Sequence, residues 1–214
     1  MLNHLPYHYI AIEGNIGAGK TTLATRLSEE LNALLILEQF EDNSFLPKFY
    51  EEPERYAFPL ELSFLADRYQ QLKNKLSQTD IFHHLTIADY FVFKSVIFAK
   101  NTLNADEYTL FNRVFGIIDS NLPKPDLLVY LYVDIPRLQA NIRKRGREYE
   151  QNIQNEYLEK IQHGYLAYLK QQPQMRILLI DTNKLDFVAH ENDYIKLKEA
   201  IFRPYEAGIH HIIL

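Results

Sequence analysis

The sequence contains no cysteine, which excludes disulfide bonds and metal sites built from thiolates. It also lacks any apolar run approaching the ~20 residues that a membrane-spanning helix requires. The first ten residues, MLNHLPYHYI, show no basic region followed by an apolar core, as a secretory signal would. Together these absences predict a soluble, cytoplasmic protein with no membrane partner.

Basic residues are also in the minority, with 23 lysines and arginines against 28 aspartates and glutamates and a net charge of −5 at pH 7. A chain with this charge has no general attraction to nucleic acid, so we expect no nucleic-acid partner. Internal repeats, low-complexity tracts and Gly/Ser linkers are absent too. The 214 residues, 47% of them hydrophobic, therefore predict one domain over residues 1–214 with a buried core.

Short apolar runs rich in β-formers alternate with helical segments along the chain. The predicted strands are Tyr7–Glu13, Leu34–Glu38, Leu85–Asp89, Leu127–Val133 and Arg176–Asp181. The alternation predicts an α/β fold, with a five-stranded parallel sheet flanked by helices on both faces. In such sheets ligands bind beyond the carboxyl ends of the strands. The tail IHHIIL fits either an edge strand or a dimer contact.

Three helices are predicted, Lys20–Leu31, Pro53–Leu76 and Ile135–Lys144, the last with Asp134 as its N-cap. Pro59 is expected to kink the second helix or to delay its start. The apolar stripe predicted along this second helix consists of Leu62, Leu65, Tyr69, Leu72 and Leu76.

A phosphate-binding motif follows the first predicted strand. Residues 14–21, GNIGAGKT, match G-x-x-x-x-G-K-[ST] between a buried strand and an amphipathic helix, as in P-loop NTPase-like folds. Glycines let successive N–H groups point at phosphate oxygens, and the helix N-terminus adds a positive dipole. Lys20 is expected to reach the β- and γ-phosphates of ATP, and the Thr21 hydroxyl to bind Mg²⁺. The predicted ATP-binding residues here are Gly14, Asn15, Ile16, Gly17, Ala18, Gly19, Lys20, Thr21 and Thr22.

Two acids stand where predicted strands end, Glu38 after the second strand and Asp89 after the third. In a parallel sheet both ends open toward the P-loop. Phosphoryl transfer to a hydroxyl needs a carboxylate near the acceptor oxygen and a metal that offsets charge. By position alone, each acid fits a solvated side chain at the start of a loop equally well.

A basic segment, residues 143–152, follows the helix that ends near Lys144. It carries Arg143, Lys144, Arg145 and Arg147, with Gly146 as a possible hinge. Kinases that exclude water close such an arginine-bearing lid over the γ-phosphate. A solvated basic helix end, favoured by the helix dipole, explains the same pattern equally well.

The sequence resembles the deoxynucleoside kinase family over most of its length. The resemblance lies in IAIEGNIGAGKTTL, FYEEPERYAF, SVIFAKNTL, RGREYEQNIQNEYLEKI and LLIDTN, in this order. It implies a five-stranded parallel sheet, usually a homodimer, and transfer of the γ-phosphate of ATP to the 5′-hydroxyl of a deoxynucleoside.

The resemblance also implies roles for single residues. Glu38 matches the family's catalytic base, and Lys20, Arg145 and Arg147 match the groups that stabilise the transferring phosphate. The residues expected to bind the deoxynucleoside are Glu38, Tyr50, Glu61, Arg68, Lys94, Phe98 and Glu150. Tyr50 and Glu150 would hold the sugar 3′-hydroxyl, Phe98 would stack on the base, and Arg68 would read the base edge. The expected ATP site also includes Arg145, Asp181, Thr182 and Asn183. The last three of these residues would surround the adenine.

The chain departs from the family pattern in two places. The family usually has Glu-Arg-Ser at the end of the third strand, where this chain has Ala88-Asp89-Tyr90. Asp89, with Thr21, is the expected Mg²⁺ ligand, but the family's arginine has no counterpart. Glu61 also replaces a frequent Gln, and Lys94 replaces a frequent Asp.

Glu61 and Arg68 stand seven residues apart, on one face of a helix. A buried carboxylate accepts hydrogen bonds, for example from the adenine N6 amine or from guanine N1–H and N2–H₂, whereas arginine only donates. This pair favours a purine, and the resemblance places adenine slightly ahead of guanine. In the alternative, Glu61 pairs with Lys94 and neither touches the substrate.

Two other functions remain open from the sequence. One is a different small P-loop kinase, for a nucleoside monophosphate or a shikimate-like metabolite; its acceptor site would need extra arginines, and only Arg55 and Arg68 are candidates outside the lid. The other is a nucleotide-binding regulatory module without turnover, which the arginine missing beside Asp89 favours and the intact Glu38 opposes.

Overall fold

The structure is a computed structural model, which describes residues 5–39, 43–77 and 82–214 of the chain and leaves the side chains of Tyr50 and Tyr149 aside. Within these residues the chain forms two compact units. The first consists of residues 5–36, 82–90 and 125–214, and the second of residues 37–39, 43–77 and 91–124. The single domain over residues 1–214 stays a prediction.

The first unit contains a parallel sheet of six strands in the order β2-β3-β1-β4-β5-β6. The strands are β1 (Tyr9–Gly14), β2 (Leu34–Ile36), β3 (Thr86–Ala88), β4 (Leu127–Tyr132), β5 (Arg176–Asp181) and β6 (Gly208–Ile213). All five predicted strands are present, although β2 and β3 are shorter than predicted. The prediction of five strands was wrong by one.

The additional strand is β6, formed by the tail for which an edge strand was one alternative. It pairs in parallel with β5, and Gly208 N donates to Met175 O at 2.8 Å where the pairing begins. Its side chains alternate in exposure: Ile212 packs against the core, whereas the neighbouring Ile213 is exposed. This period of two is typical of a strand with one covered face.

Eight helices are formed by the described residues. They are α1 (Lys20–Leu31), α2 (Leu46–Glu51), α3 (Pro53–Leu76), α4 (Lys94–Thr102), α5 (Ala105–Asp119), α6 (Ile135–Arg145), α7 (Asn155–Lys170) and α8 (Glu191–Ile201). The three predicted helices are confirmed. Helix α3 starts at Pro53, so Pro59 does not delay it. Asp134 occupies the N-cap position of α6 but makes no capping bond with its side chain.

The core of the first unit lies around the central strands. Ile10 and Ile12 point to one face of β1 and Ala11 to the other, and all three are fully buried; the same holds for consecutive residues of β4. Side chains that are buried on both faces explain why these strands appear in the sequence as unbroken apolar runs. The rigid sheet holds the strand ends in place, and these ends carry the loops described below.

The second unit contains α2, α3, α4 and α5, with α3 packed against the other three. Only Leu65 and Leu72 of the predicted α3 stripe are buried, because the buried face is rotated toward Ala57 and Leu60. This face also carries the charged residues Glu61 and Arg68. Helix α5 begins with a complete capping box between Asn104 and Glu107. Among the described residues, no helix combines the length and apolar character needed to cross a membrane.

Candidate functional site

The loop between β1 and α1 has a backbone that only glycine can adopt at two positions. Gly17 and Gly19 have φ of 83° and 89°, in the left-handed region. A Cβ atom would lie 2.9 Å from Leu138 O at Gly17 and 2.8 Å from the Phe187 ring at Gly19. The predicted strand, loop and helix are therefore confirmed as one continuous segment, with residues 14–22 in the order that a phosphate cradle requires.

Polar side chains from other elements of the first unit fix this loop. Asn15 is buried, and its amide donates to Leu158 O of α7 at 2.8 Å. Asn141 of α6 donates to Gly17 O at 2.8 Å. Lys20 Nζ donates to Asn15 O at 3.0 Å, so its ammonium lies against the loop that it was predicted to serve. The loop is thus preorganised by buried hydrogen bonds.

Thr21 and Asp89 lie side by side at the strand ends. The Thr21 hydroxyl donates to Asp89 Oδ2 at 2.6 Å, and Asp89 is buried directly after β3. A hydroxyl and a carboxylate are the hard oxygen donors that Mg²⁺ takes when it also binds substrate phosphates. The described residues contain no cluster of three or more His, Cys, Asp or Glu that would form an all-protein metal cage. The pair therefore fits a Mg²⁺ ion that is shared with phosphates.

The loop after β5 carries the three residues expected around adenine. Asp181 ends the strand and accepts from Asn183 N at 2.9 Å, and Asn183 Oδ1 accepts from Asp134 N at 2.9 Å. Arg137 donates to Thr182 O at 2.9 Å and also to the carbonyls of Asn183 and Leu185. Thr182 Oγ1 also donates to Tyr132 O at 3.2 Å, so all three predicted side chains make hydrogen bonds to backbone groups here.

Sequence reasoning missed Arg137 and Phe187 in this region. A cation in the first turn of α6 opposes the helix dipole, and this is the signal that could have identified Arg137 as a residue with another task. Phe187 is buried, and its ring contacts Gly19. No pattern in the sequence indicates that contact, because it joins two loops far apart along the chain.

The basic segment is a capped helix end followed by a 3₁₀ turn, Glu148–Glu150. Gly146 is the left-handed C-cap of α6. Arg145 Nε donates to Glu150 Oε2 at 3.0 Å with a second bond from Nη2, and Arg147 Nη1 lies 3.5 Å from Oε1. Glu150 itself is buried. The two predicted lid arginines are therefore joined by one carboxylate, while Arg143 and Lys144 are the solvated part of the segment.

In the second unit, the carboxylate of Glu38 is held by two cations. Arg68 donates to Glu38 Oε1 through Nε at 2.9 Å and through Nη2 at 2.7 Å, and Lys94 Nζ donates to Oε2 at 2.5 Å. Arg68 Nη1 donates to Ser95 Oγ at 2.7 Å. Because Arg68 comes from α3 and Lys94 from α4, the carboxylate joins the two helices.

The surroundings of Glu38 decide its charge. Burial disfavours the ionised form and raises the pKa of the Glu38 carboxyl, but the charges of Lys94 and Arg68 and their hydrogen bonds outweigh burial. The net effect is a pKa well below the usual range of a glutamate. Glu38 is therefore ionised at every working pH.

The buried carboxyl of Glu61 is in the opposite situation. Thr102 Oγ1 donates to Glu61 Oε1 at 2.8 Å, while the buried Oε2 accepts no hydrogen bond from the part of the chain that the structure describes. Burial raises the pKa of Glu61 to about 7, because the lowering effects of Thr102, Arg68 and Lys94 are smaller. The alternative pairing of Glu61 with Lys94 is not formed, since Lys94 bonds to Glu38 instead.

The structure gives fewer contacts for the other predicted substrate residues of this unit, Phe98 and Tyr50. Phe98 is half-buried on α4, and the Lys94 ammonium lies 5.4 Å from the centre of its ring. Tyr50 belongs to α2, and its side chain lies outside what the structure describes. The roles predicted for Arg68, Phe98 and Tyr50 in binding a deoxynucleoside stay predictions.

Comparison with known proteins gives consistent results. The profile of the family "Deoxynucleoside kinase" matches residues 10–204. A deoxyguanosine kinase of Bacillus subtilis is 38% identical over 193 residues, covering 88% of this chain and 93% of the relative. A deoxyadenosine kinase of Dictyostelium discoideum is 32% identical over 204 residues, covering 93% of this chain and 80% of the relative. The structure of deoxyadenosine kinase from M. mycoides with bound dATP superposes with a TM-score of 0.77 at 25% identity, covering 89% of this chain and 97% of that one.

Gly19→Ala is expected to weaken ATP binding at least about tenfold, because a side chain at a left-handed position costs roughly 1–2 kcal/mol and the new Cβ would also displace Phe187. Calorimetric titration with ATP measures the change. Gly116→Ala is the matched control: it lies in α5 with nothing within 4 Å of the new Cβ, and should stabilise that helix by about 0.5–1 kcal/mol. Unchanged ATP affinity in Gly19→Ala would contradict this view of the loop.

Glu61→Gln is expected to stabilise the protein increasingly as the pH rises. The folded pKa of Glu61, about 7, lies above its ordinary value of 4.5, so between these values the unfolded chain releases a proton that the folded chain retains. The free energy of unfolding therefore keeps its full value below about pH 4.5, the ordinary pKa of glutamate. It falls as the pH rises from there through about 7, by an amount on the order of 3 kcal/mol. Urea unfolding of both proteins at about pH 5 and pH 8 measures the difference. Equal pH dependence of stability in the two proteins would refute the raised pKa of Glu61. The control is Glu54→Gln, which changes an exposed acid on the same helix and should keep the pH dependence of the wild type.

Proposed function

Because the chain belongs to the deoxynucleoside kinase family, and is a deoxynucleoside kinase with ATP as a substrate, we propose that its preferred acceptors are purine deoxynucleosides. The reaction transfers the γ-phosphate of ATP to the 5′-hydroxyl of the sugar. The observation that most supports this reaction is the glycine-dependent loop of residues 14–21 beside the Thr21–Asp89 pair. Relatives named deoxyguanosine and deoxyadenosine kinases support the purine preference.

In this proposal the first unit binds the phosphates of ATP. The backbone N–H groups of residues 14–21 and the N-terminus of α1 surround them, and Lys20 supplies a positive charge. Thr21 and Asp89 would hold Mg²⁺, which when bound supplies the charge that offsets the phosphate oxygens. Residues 181–183, fixed by Arg137, would surround the adenine of ATP.

Glu38 is proposed to accept the proton of the 5′-hydroxyl. Its depressed pKa makes it a weak base, but a loose transition state with little bond formation to the attacking oxygen requires little proton transfer before the phosphoryl group moves. A carboxylate that is always ionised and always in one orientation suits this task. Arg68 and Lys94 provide that orientation through three hydrogen bonds.

Arg145 and Arg147 are proposed to stabilise charge on the transferring phosphoryl group. In the structure both contact Glu150, which was predicted to hold the sugar 3′-hydroxyl. Glu150 would then have two roles, because the same carboxylate would bind the sugar 3′-hydroxyl and position the two arginines. In the second unit, the residues proposed to bind the deoxynucleoside are Tyr50, Phe98, Arg68, Lys94 and Glu61. A cytoplasmic homodimer stays the expected assembly.

The acceptor range tests this function directly. Phosphate transfer from ATP and Mg²⁺ to each of the four deoxynucleosides should show kcat/KM highest for the two purines, with deoxyadenosine monophosphate as the control acceptor. Preference for a pyrimidine would retain the kinase and refute the purine proposal. Transfer to the monophosphate alone would refute the deoxynucleoside as acceptor.

A further inference from the structure

The buried oxygen of Glu61 lacks the partner that such a group requires. Glu61 is 4% exposed in the middle of α3, its Oε1 accepts from Thr102, and its Oε2 has no hydrogen bond from any described residue. A buried polar atom without a partner lowers the stability of a protein. Such an atom in a binding protein is explained when a ligand supplies the missing partner.

Two cations act on Glu61, and both are already engaged by another carboxylate. Arg68 lies two turns along the same helix, and Lys94 lies on α4, the helix that also carries Thr102. Both make their direct ion pairs with Glu38. Their attraction lowers the pKa of Glu61, but burial outweighs it, and the pKa is about 7.

The other helices packed against α3 bring no further charge to Glu61 within the described residues. The buried residues of α5 are Phe111 and Phe115. Lys48 of α2 lies over the rings of Phe45 and Tyr56 instead. Within the described residues, the charges that act on Glu61 are therefore those of Arg68 and Lys94, and the carboxyl has two available protonation states near neutral pH.

These two states differ in what Oε2 can do. The neutral acid carries a proton there and donates a hydrogen bond, as the amide of a glutamine does, whereas the carboxylate only accepts. Adenine presents N1 as an acceptor beside its N6 amine, and guanine presents N1–H and N2–H₂ as donors. The neutral acid thus matches adenine, and the carboxylate matches guanine.

We propose that Glu61 is a specificity-determining residue whose protonation state selects the purine: the neutral acid donates to adenine, and the carboxylate accepts from guanine. The proposal rests on the proposed function and adds a rule for its acceptor site. Preference moves from deoxyadenosine toward deoxyguanosine as the pH rises through neutrality. Glutamine at this position would make the preference independent of pH.

The experiment is competition between deoxyadenosine and deoxyguanosine in one reaction mixture, from about pH 6 to about pH 8.5. The ratio of the two kcat/KM values cancels every pH effect common to both substrates, including those on ATP, Mg²⁺ and Glu38. A hydrogen-bonding match is worth about 1 kcal/mol or more, so the ratio should change about fivefold or more in favour of deoxyguanosine. In Glu61→Gln the ratio should stay constant.

Two further variants make the test specific. Thr102→Val removes the hydrogen bond that lowers the pKa of Glu61, so the midpoint of the change in the ratio should move to higher pH. Thr102→Val also provides a test if Glu61→Gln does not fold. Glu54→Gln, an exposed acid on α3, should retain the wild-type profile.

A constant ratio in the wild type, or an equal change in Glu61→Gln, would overturn the proposal. So would a change with the opposite sign, or a midpoint that Thr102→Val leaves in place. Failure of the proposed function is a separate result, in which neither purine deoxynucleoside is phosphorylated at any pH.

Discussion

A carboxylate held between two cations, that of Glu38, organises the second unit. The side chain of Glu38 is only 13% exposed, and its charge needs compensation because desolvation of a lone charge costs several kcal/mol. Arg68 from α3 and Lys94 from α4 provide the compensation, and in doing so they hold the two helices in one arrangement. They also bear on Glu61: because Arg68 and Lys94 form their ion pairs with Glu38, their attraction does not offset the burial that raises the pKa of Glu61 to about 7. One ion-pair cluster thus yields a permanently ionised acid and a titrating acid in the same unit.

In the first unit, a steric constraint on the glycine-rich loop fixes the geometry of the candidate phosphate site. The loop of residues 14–21 approaches Leu138 and Phe187 so closely that a Cβ at Gly17 or Gly19 would collide with them. Hydrogen bonds from Asn15 and Asn141 fix the loop to α7 and α6. Preorganised N–H groups need no rearrangement when charge develops on the phosphates, and this is the physical basis of the catalysis that we propose.

Much of this could be predicted from the sequence, where local patterns carry the information. Apolar runs buried on both faces indicated the central strands, and the glycine motif indicated the loop and α1. Asp89 was expected close to the P-loop because parallel strands end at one edge, and its bond to Thr21 confirms that. The edge strand β6 remained undecided because a tail with one covered face has a weaker pattern than a buried strand.

The side-chain partners could not be predicted, because they depend on distances between elements far apart in the chain. One alternative from the sequence paired Glu61 with Lys94, whereas Lys94 and Arg68 both bond to Glu38. Glu61 was also taken as an acceptor only, since its burial depends on how α3 rotates against its neighbours. Arg137 and Phe187 were missed for the same reason, as each acts on a loop from another element.

The most direct test of the central claim is the turnover of Glu38→Gln at saturating ATP and deoxynucleoside. Glutamine keeps the shape of the side chain but cannot accept the 5′-hydroxyl proton, so kcat should fall by roughly 10²–10⁴. ATP affinity, measured on the same sample, should stay near that of the wild type and shows that the first unit is folded. A folded variant that binds ATP and retains most of its turnover would contradict the role of Glu38 as the proton acceptor.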